Sequence, residues 1–336
     1  MIIYSIVLII INILILYSFK HISRQFKIED KSDGIRKFQK NPVSLLGGTL
    51  ILFNILLIVF LDYILKKNII FDNFFETNRE LFAFITGIVT FYFIGLFDDK
   101  YRLSANYKLF ISTFFILLFI LIDDNLEILV LKFSFLDHEI ELKSFSIFFT
   151  LLCFLLFINA LNMFDGINCQ VGFYSILIFG IIFFKNILPV FCLILIISLL
   201  FFLILNFKGK LFLGESGILI LAFIISYIFV KTSNIQNNIF FADEIFIIMA
   251  LPGIDMFRLF IIRIYNGKNP FSPDMNHIHH LIQKHYSNNK TFIIIFSYIL
   301  ITTILYFFVD FKAAYLIIYI LIYLLVIFSL TKKIKN

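Results

Sequence analysis

Leu81-Phe82-Ala83-Phe84-Ile85-Thr86-Gly87-Ile88-Val89-Thr90-Phe91-Tyr92-Phe93-Ile94-Gly95-Leu96-Phe97-Asp98-Asp99 decides the fold. Residues 81–97 carry no charge and are long enough to cross hydrocarbon, and the run ends on two adjacent carboxylates. A charge near mid-bilayer costs about 2.5–3.5 kcal/mol, so acids kept at the mouth of such a run need a compensating role. Comparable apolar runs recur along the chain: 2–19, 45–65, 108–122, 145–161, 172–184, 187–206, 216–231, 244–264, 291–309 and 313–330. With 61% hydrophobic and 15% charged residues in 336, no stretch is left to form a soluble domain of typical size. The expectation is an all-α polytopic membrane protein of about eleven transmembrane helices, 1–336 forming one integral-membrane domain.

The N-terminal run is followed, not preceded, by its positive charges and has no small-residue cleavage site, so it reads as a retained first span. An odd number of spans puts the termini on opposite sides, and the Lys/Arg bias chooses between them. With the N-terminus outside and the C-terminus inside, 20 of the 28 Lys and Arg residues fall on the inner side, whereas 13 of the 22 carboxylates fall outside. The outer segment 123–143 alternates apolar and polar residues around Leu136-Asp137-His138, which predicts a small β-hairpin within 128–142. Cys153, Cys169 and Cys192 are isolated; they form no disulfide framework or zinc signature and read as small buried hydrophobes. The bilayer is the expected partner and nucleic acid is not.

This orientation places every polar cluster on the inner side. Asp98 and Asp99 can hold a divalent cation, or one can act as a base beside it; alternatively they are a loop pair neutralised by Lys100 and Arg102. Lys108, at the start of the next span, is a phosphate contact or a snorkelling interfacial lysine. Asn159, Asn162, Asp165 and Asn168, spaced by three, form a slowly rotating polar stripe until Gly166 breaks the helix. Their oxygens suit Mg²⁺ or a sugar or base edge, and equally suit polar contacts between membrane helices. Glu215, in Phe212-Leu213-Gly214-Glu215-Ser216-Gly217, is a metal ligand or an acid favoured at a helix N-terminus.

Asp255 and Arg258, at i and i+3, are expected to neutralise one another. The loop from Arg263 to Tyr286 holds Asn269-Pro270-Phe271-Ser272-Pro273-Asp274 and then His277-Ile278-His279-His280. If Asp274 caps a short helix, His277 and His280 share one face and His279 lies on another. Neither cysteine nor a nearby carboxylate completes a zinc set, so Arg263 and the imidazoles read as holders of phosphate oxygens.

Together these stretches resemble the polyprenyl-phosphate N-acetylhexosamine-1-phosphate transferase family, of the WecA, TagO and MraY type. The resemblance runs through Asn41-Pro42-Val43-Ser44-Leu45-Leu46-Gly47-Gly48, Gly95 to Asp99 with Lys108, Asn159 to Asn168, Phe212 to Gly217, Pro252-Gly253-Ile254-Asp255, and Ser272 to His280. The His-x-His-His pattern is closer to the WecA/TagO branch. The resemblance implies Mg²⁺ (Mn²⁺ as the substitute ion) and transfer of HexNAc-1-phosphate, by default GlcNAc-1-phosphate, from a UDP-HexNAc donor to polyprenyl phosphate. UMP is released, at the cytoplasmic face of a bacterial inner membrane. It further implies Asp98, Asp99 and Asp165 as catalytic residues and Asn162 and Glu215 as metal ligands. Lys108, Asn159, Asn168, Arg263, His277, His279 and His280 would bind substrate and phosphate, and a homodimer is compatible with it. Glu215 and Asn168 stand where many members carry Asp. QuiNAc, FucNAc or GalNAc donors, a covalent intermediate on Asp98, an inactive or scaffold relative, and a transporter are the alternatives.

Overall fold

The computed structural model describes residues 1–30, 42–71, 74–234, 240–272 and 274–335. Asn41 and Pro273, quoted above within longer motifs, and the basic residues of 31–41 lie outside the described residues.

The protein is an all-α polytopic membrane protein. Among the described residues ten helices are long and apolar enough to cross a membrane. They are α1 (Ile2–Phe26), α2 (Gly47–Leu65), α3 (Asn78–Tyr101), α4 (Ala105–Ile122), α5 (Ser146–Phe164), α7 (Pro189–Phe207), α8 (Gly214–Ser233), α9 (Ala242–Tyr265), α11 (Asn288–Phe308) and α12 (Lys312–Lys335). The apolar α6 (Gln170–Phe184) is shorter, and α10 (Ile278–Gln283) is a six-residue helix. The eleven apolar runs therefore all become helices. The anticipated hairpin is present as β3 (Val130–Leu131) paired antiparallel with β4 (Ile140–Glu141). A second ribbon, β1 (Glu29–Asp30) with β2 (Val43–Ser44), had no signal in the alternation.

Most helices overrun their apolar windows. α3 starts three residues early because the Thr77 side chain accepts from the Glu80 N–H at its N-terminus, satisfying a donor that the helix leaves open. It then continues through Asp98 and Asp99 to Tyr101. Arg102, at φ 55°, closes it with an N–H bond to the Asp98 carbonyl. Backbone hydrogen bonding does not stop where hydrocarbon stops, so the acids ride on a rigid helix end rather than on a loop.

The chain groups into two compact units, residues 1–125 with 171–227 and residues 126–170 with 228–336. In the first, α1 and α2 pack on α7, α3 packs on α4, and α2 contacts α3. Asn12 of α1 and Asn54 of α2 exchange carboxamide hydrogen bonds of 3.0 and 3.1 Å, and Tyr4 donates to Asp62 at 2.6 Å. Such polar pairs join helices where lipid offers no hydrophobic drive for association. In the second unit α5 packs on α9, α9 on α11, and α10 on α11 and α12. Asp243 of α9 accepts from Ser134 and from Tyr306 of α11. α1 and α12 keep large apolar side chains exposed, among them Ile6, Ile10, Leu14, Ile318, Leu321 and Leu325, the surface a lipid-facing helix presents. The three cysteines are free, with Cys169 and Cys192 buried.

Candidate active site

In the first unit three helix ends are drawn together by glycines. A Cβ on Gly95 would lie 2.3 Å from the Ser216 Cα, and one on Gly48 would lie 2.4 Å from the Gly217 nitrogen. Gly47 and Gly48 also donate N–H bonds to the carbonyls of Phe212 and Leu213, at 3.1 and 3.0 Å. No other residue permits these approaches of α2 and α3 to the start of α8. That start is itself shaped by Gly214, which sits at φ +73° in the left-handed region.

Because Gly95 lies one turn before the acids, the close approach delivers them to α8. Asp99 accepts from the N–H of Glu215 at 2.8 Å and of Ser216 at 3.1 Å. It is the N-terminal cap of α8, supplied from another helix. Its carboxyl oxygens meet the positive end of the helix dipole and two donors that α8 cannot satisfy itself. Glu215 occupies the first turn of α8, while the capping itself falls to Asp99.

Asp98 is buried, and both of its oxygens are engaged. Oδ1 accepts from the Leu103 N–H at 2.6 Å and Oδ2 from the Lys108 ammonium at 2.8 Å. Lys108 stands on the first turn of α4, whose N-terminus is capped by Ser104. Its ammonium also lies 3.4 Å from Glu215 Oε2. Lys108 therefore ties the paired acids to the Glu215 motif more than 100 residues away. Two carboxylates share one ammonium, which leaves the group formally negative and partly open: the Glu215 side chain is 27% exposed. Hard carboxylate oxygens with surplus negative charge suit Mg²⁺ or Mn²⁺ rather than a thiophilic ion. Among the described residues no group of three or more His, Cys, Asp or Glu side chains forms a metal cage, so water and substrate oxygens would have to complete any such site.

In the second unit the polar stripe lies where its spacing puts it. Asn159 and Asn162 sit on the last turns of α5, and Asp165 closes the helix. Asp165 and Asn168 are exposed and Asn159 and Asn162 half-buried. Asn159 donates back to the Leu155 carbonyl at 2.7 Å, the local bond of a polar residue inside a helix. Gly166 is required by contact: a Cβ there would lie 1.8 Å from Nε2 of His279.

The histidine loop is organised by Asp255. Arg258 donates to its Oδ1 at 2.8 Å, the pairing expected from the i, i+3 spacing. Tyr323 of α12 also donates to Oδ1, at 2.6 Å, and His277 Nδ1 stands 2.8 Å from Oδ2. The three imidazoles form one stack: His277 and His279 are parallel with centroids 5.4 Å apart, and His280 meets His279 edge-on at 4.2 Å. His279 is fully buried, and burial together with the neighbouring imidazoles holds it well below the ordinary histidine value. Burial likewise lowers His280, opposed by its bond to Gln283.

One expectation for this loop is corrected. Asp274 does not cap α10; His277 is the cap residue, while Asp274 accepts from Arg263 Nε at 2.8 Å and from the Asn276 N–H. Burial alone would raise the Asp274 carboxyl, but these donors hold it below its usual range. His277 therefore precedes α10, and its ring pairs with that of His279 instead of sharing a face with His280. Arg263 is buried and braces the loop through Asp274 and the Pro270 carbonyl.

Residues 81–233 match the family model described as Glycosyl transferase family 4. The chain is similar to an undecaprenyl-phosphate alpha-N-acetylglucosaminyl 1-phosphate transferase of Escherichia coli O157:H7, with 27% identity over 66% of this chain and 63% of that protein. It is similar to the protein of the same name from Yersinia pestis, with 26% identity over 66% of this chain and 65% of the relative. It is also similar to a probable undecaprenyl-phosphate N-acetylglucosaminyl 1-phosphate transferase of Bacillus subtilis strain 168, with 27% identity over 61% and 58%. The matched stretch thus spans less than two thirds of these relatives.

Proposed function

We infer that this chain, which carries the glycosyl transferase family 4 match over residues 81–233, transfers HexNAc-1-phosphate from a UDP-sugar to undecaprenyl phosphate and releases UMP. GlcNAc is the default sugar, since the relatives' names specify N-acetylglucosaminyl 1-phosphate and undecaprenyl phosphate. The observation that carries the reading is the Asp98–Lys108–Glu215 linkage, braced by Asp99 on α8, inside the matched segment.

The reaction sets an anion against an anion. An oxygen of the lipid phosphate attacks the sugar-bearing phosphorus, and the bond from that phosphorus to the UMP oxygen breaks. Glu215, partly open beside Lys108, would hold Mg²⁺ together with water and substrate oxygens. When bound, the ion supplies charge neutralisation at the donor pyrophosphate and the departing UMP oxygen. Lys108 has an ammonium already aligned between two carboxylates, and it turns a donor toward a phosphate oxygen at little reorganisation cost. Asp98 is held on both oxygens and buried, which favours direct attack by the lipid phosphate over a covalent aspartyl intermediate. Asp99, committed to the α8 backbone, keeps Glu215 in place rather than reacting. Asp165 and Asn168, exposed at and beyond the end of α5, are the candidate contacts to a nucleoside or sugar. The Lys/Arg bias and the bacterial relatives support a bacterial inner-membrane location with this chemistry on the cytoplasmic side.

The test is incubation of membranes bearing the protein with UDP-GlcNAc, undecaprenyl phosphate and Mg²⁺, with UMP and lipid-linked product measured together. Exchange of labelled UMP into the donor without acceptor would favour the covalent route instead.

A further inference from the structure

The carboxylate of Asp255 is better engaged than pairing with Arg258 requires. It accepts from Arg258 and Tyr323 on Oδ1, stands 2.8 Å from His277 Nδ1 through Oδ2, and faces the Ile278 N–H at 3.3 Å from both oxygens. One side chain of α9 therefore anchors the start of α10 and the first imidazole of the histidine motif. An ionised carboxylate only accepts hydrogen bonds. The short contact consequently requires the proton to sit on His277 Nδ1, which leaves Nε2 as the ring's open nitrogen. No partner for Nε2 occurs among the described residues.

We propose that Asp255 is a positioning residue for the transfer reaction: it fixes His277 in the Nδ1–H tautomer and presents the bare Nε2, a hydrogen-bond acceptor, to an O–H of the substrate, a protonated phosphate oxygen or a sugar hydroxyl. The kinetic half of this proposal rests on the transferase reading, whereas the tautomer half does not. Tyr323 and Arg258 hold the carboxylate from the opposite side, with Arg258 Nε also donating to the Tyr323 hydroxyl at 2.9 Å. The anchor is therefore rigid, and the imidazole has one orientation open to it. Arg258 additionally donates to the Asn276 carbonyl at 2.6 Å, tying the residue before the histidines to the same point. Stacking of His279 on His277, and of Gly166 beneath His279, limits rotation of the ring from its other side.

The full chain, labelled with ¹⁵N-histidine in lipid nanodiscs at a pH where imidazole is neutral, gives the direct readout. His277 signals are assigned by their loss in His277→Asn. Wild type should show a protonated Nδ1 and a bare Nε2; the opposite tautomer overturns the proposal, whether or not any variant folds. Asp255→Asn presents an amide N–H toward Nδ1 and should move the proton to Nε2. Turnover should then fall by about 10–100-fold, the loss of one hydrogen bond to a charged substrate group, with KM changed by less than about threefold. Tyr323→Phe spares the Asp255–His277 contact and should leave the tautomer in place. An inverted tautomer with full turnover, or an unchanged tautomer in Asp255→Asn, also refutes the assignment. If wild type yields no product with any UDP-HexNAc, the transferase reading fails while the tautomer result still stands on its own.

Discussion

Gly95→Ala probes the packing that positions the paired acids. The added methyl would meet the Ser216 Cα at 2.3 Å, its nitrogen at 2.4 Å and the Glu215 carbonyl carbon at 2.6 Å. These are backbone atoms, which cannot rotate away. An ordinary contact needs about 3.4 Å or more, so α3 and α8 must part by about 1 Å. The Asp99 bonds to Glu215 and Ser216, at 2.8 and 3.1 Å, would then stretch past hydrogen-bonding range. Overpacking costs about 1–3 kcal/mol, and each lost bond to a charged group costs about 1.5–3 kcal/mol before water replaces it. The better helix propensity of alanine returns up to about 1 kcal/mol. A net loss of about 3 kcal/mol is expected, a fall in melting midpoint of about 4 °C for a chain of this size, with activity reduced because Glu215 moves with α8. Gly180→Ala is the control: it lies in the middle of α6 and nothing stands within 4 Å of its added Cβ. It should be neutral or stabilising by up to about 1 kcal/mol. The assay is thermal unfolding of both variants in the same detergent, alongside turnover. Equal midpoints for Gly95→Ala, Gly180→Ala and wild type would refute the account of how α3 meets α8.

Glu215→Asp should retain measurable transfer, because a carboxylate still faces Lys108, whereas Glu215→Gln should lose it; equal rates for the two would remove Glu215 from the chemistry. A pH effect on stability follows from His279, which burial and its imidazole neighbours hold neutral in the folded protein. The unfolded chain binds that proton near pH 6.5, so stability is intact above that value and falls on acidification below it. The slope is up to about 1.4 kcal/mol per pH unit, and His280 contributes with the same sign. His279→Gln should flatten the decline in melting midpoint between pH 6.5 and 5; parallel declines in variant and wild type would contradict the buried neutral imidazole.

The helices were legible because most of the apolar runs are long enough to cross hydrocarbon, and the hairpin at 130–141 because its alternation is local. The Asp255–Arg258 pair and the stripe of Asn159 and Asn162 were legible for the same reason: one helix sets their geometry. The helix ends were not, since Thr77 and Arg102 set the limits of α3 through backbone bonds that hydropathy does not register. Nor was the use of Asp99, whose partners lie 116 and 117 residues away. The glycines at 47, 48, 95 and 166 appear in the motifs without saying what they touch; each proves to be a place where another backbone or an imidazole occupies the volume of a side chain. The bond from Arg263 to Asp274, eleven residues on across a loop, was not legible either, because no local period sets it.

Metal-dependent transfer by the purified protein tests the central claim most directly. After treatment with a chelator, the protein is given UDP-GlcNAc and undecaprenyl phosphate, with and without Mg²⁺, and UMP release is followed beside lipid-linked GlcNAc. The account predicts stoichiometric UMP and lipid product with Mg²⁺, neither without it, and neither from Glu215→Gln. Wild-type protein that stays folded yet forms no product from any UDP-HexNAc, or that works equally well without a divalent ion, would contradict it.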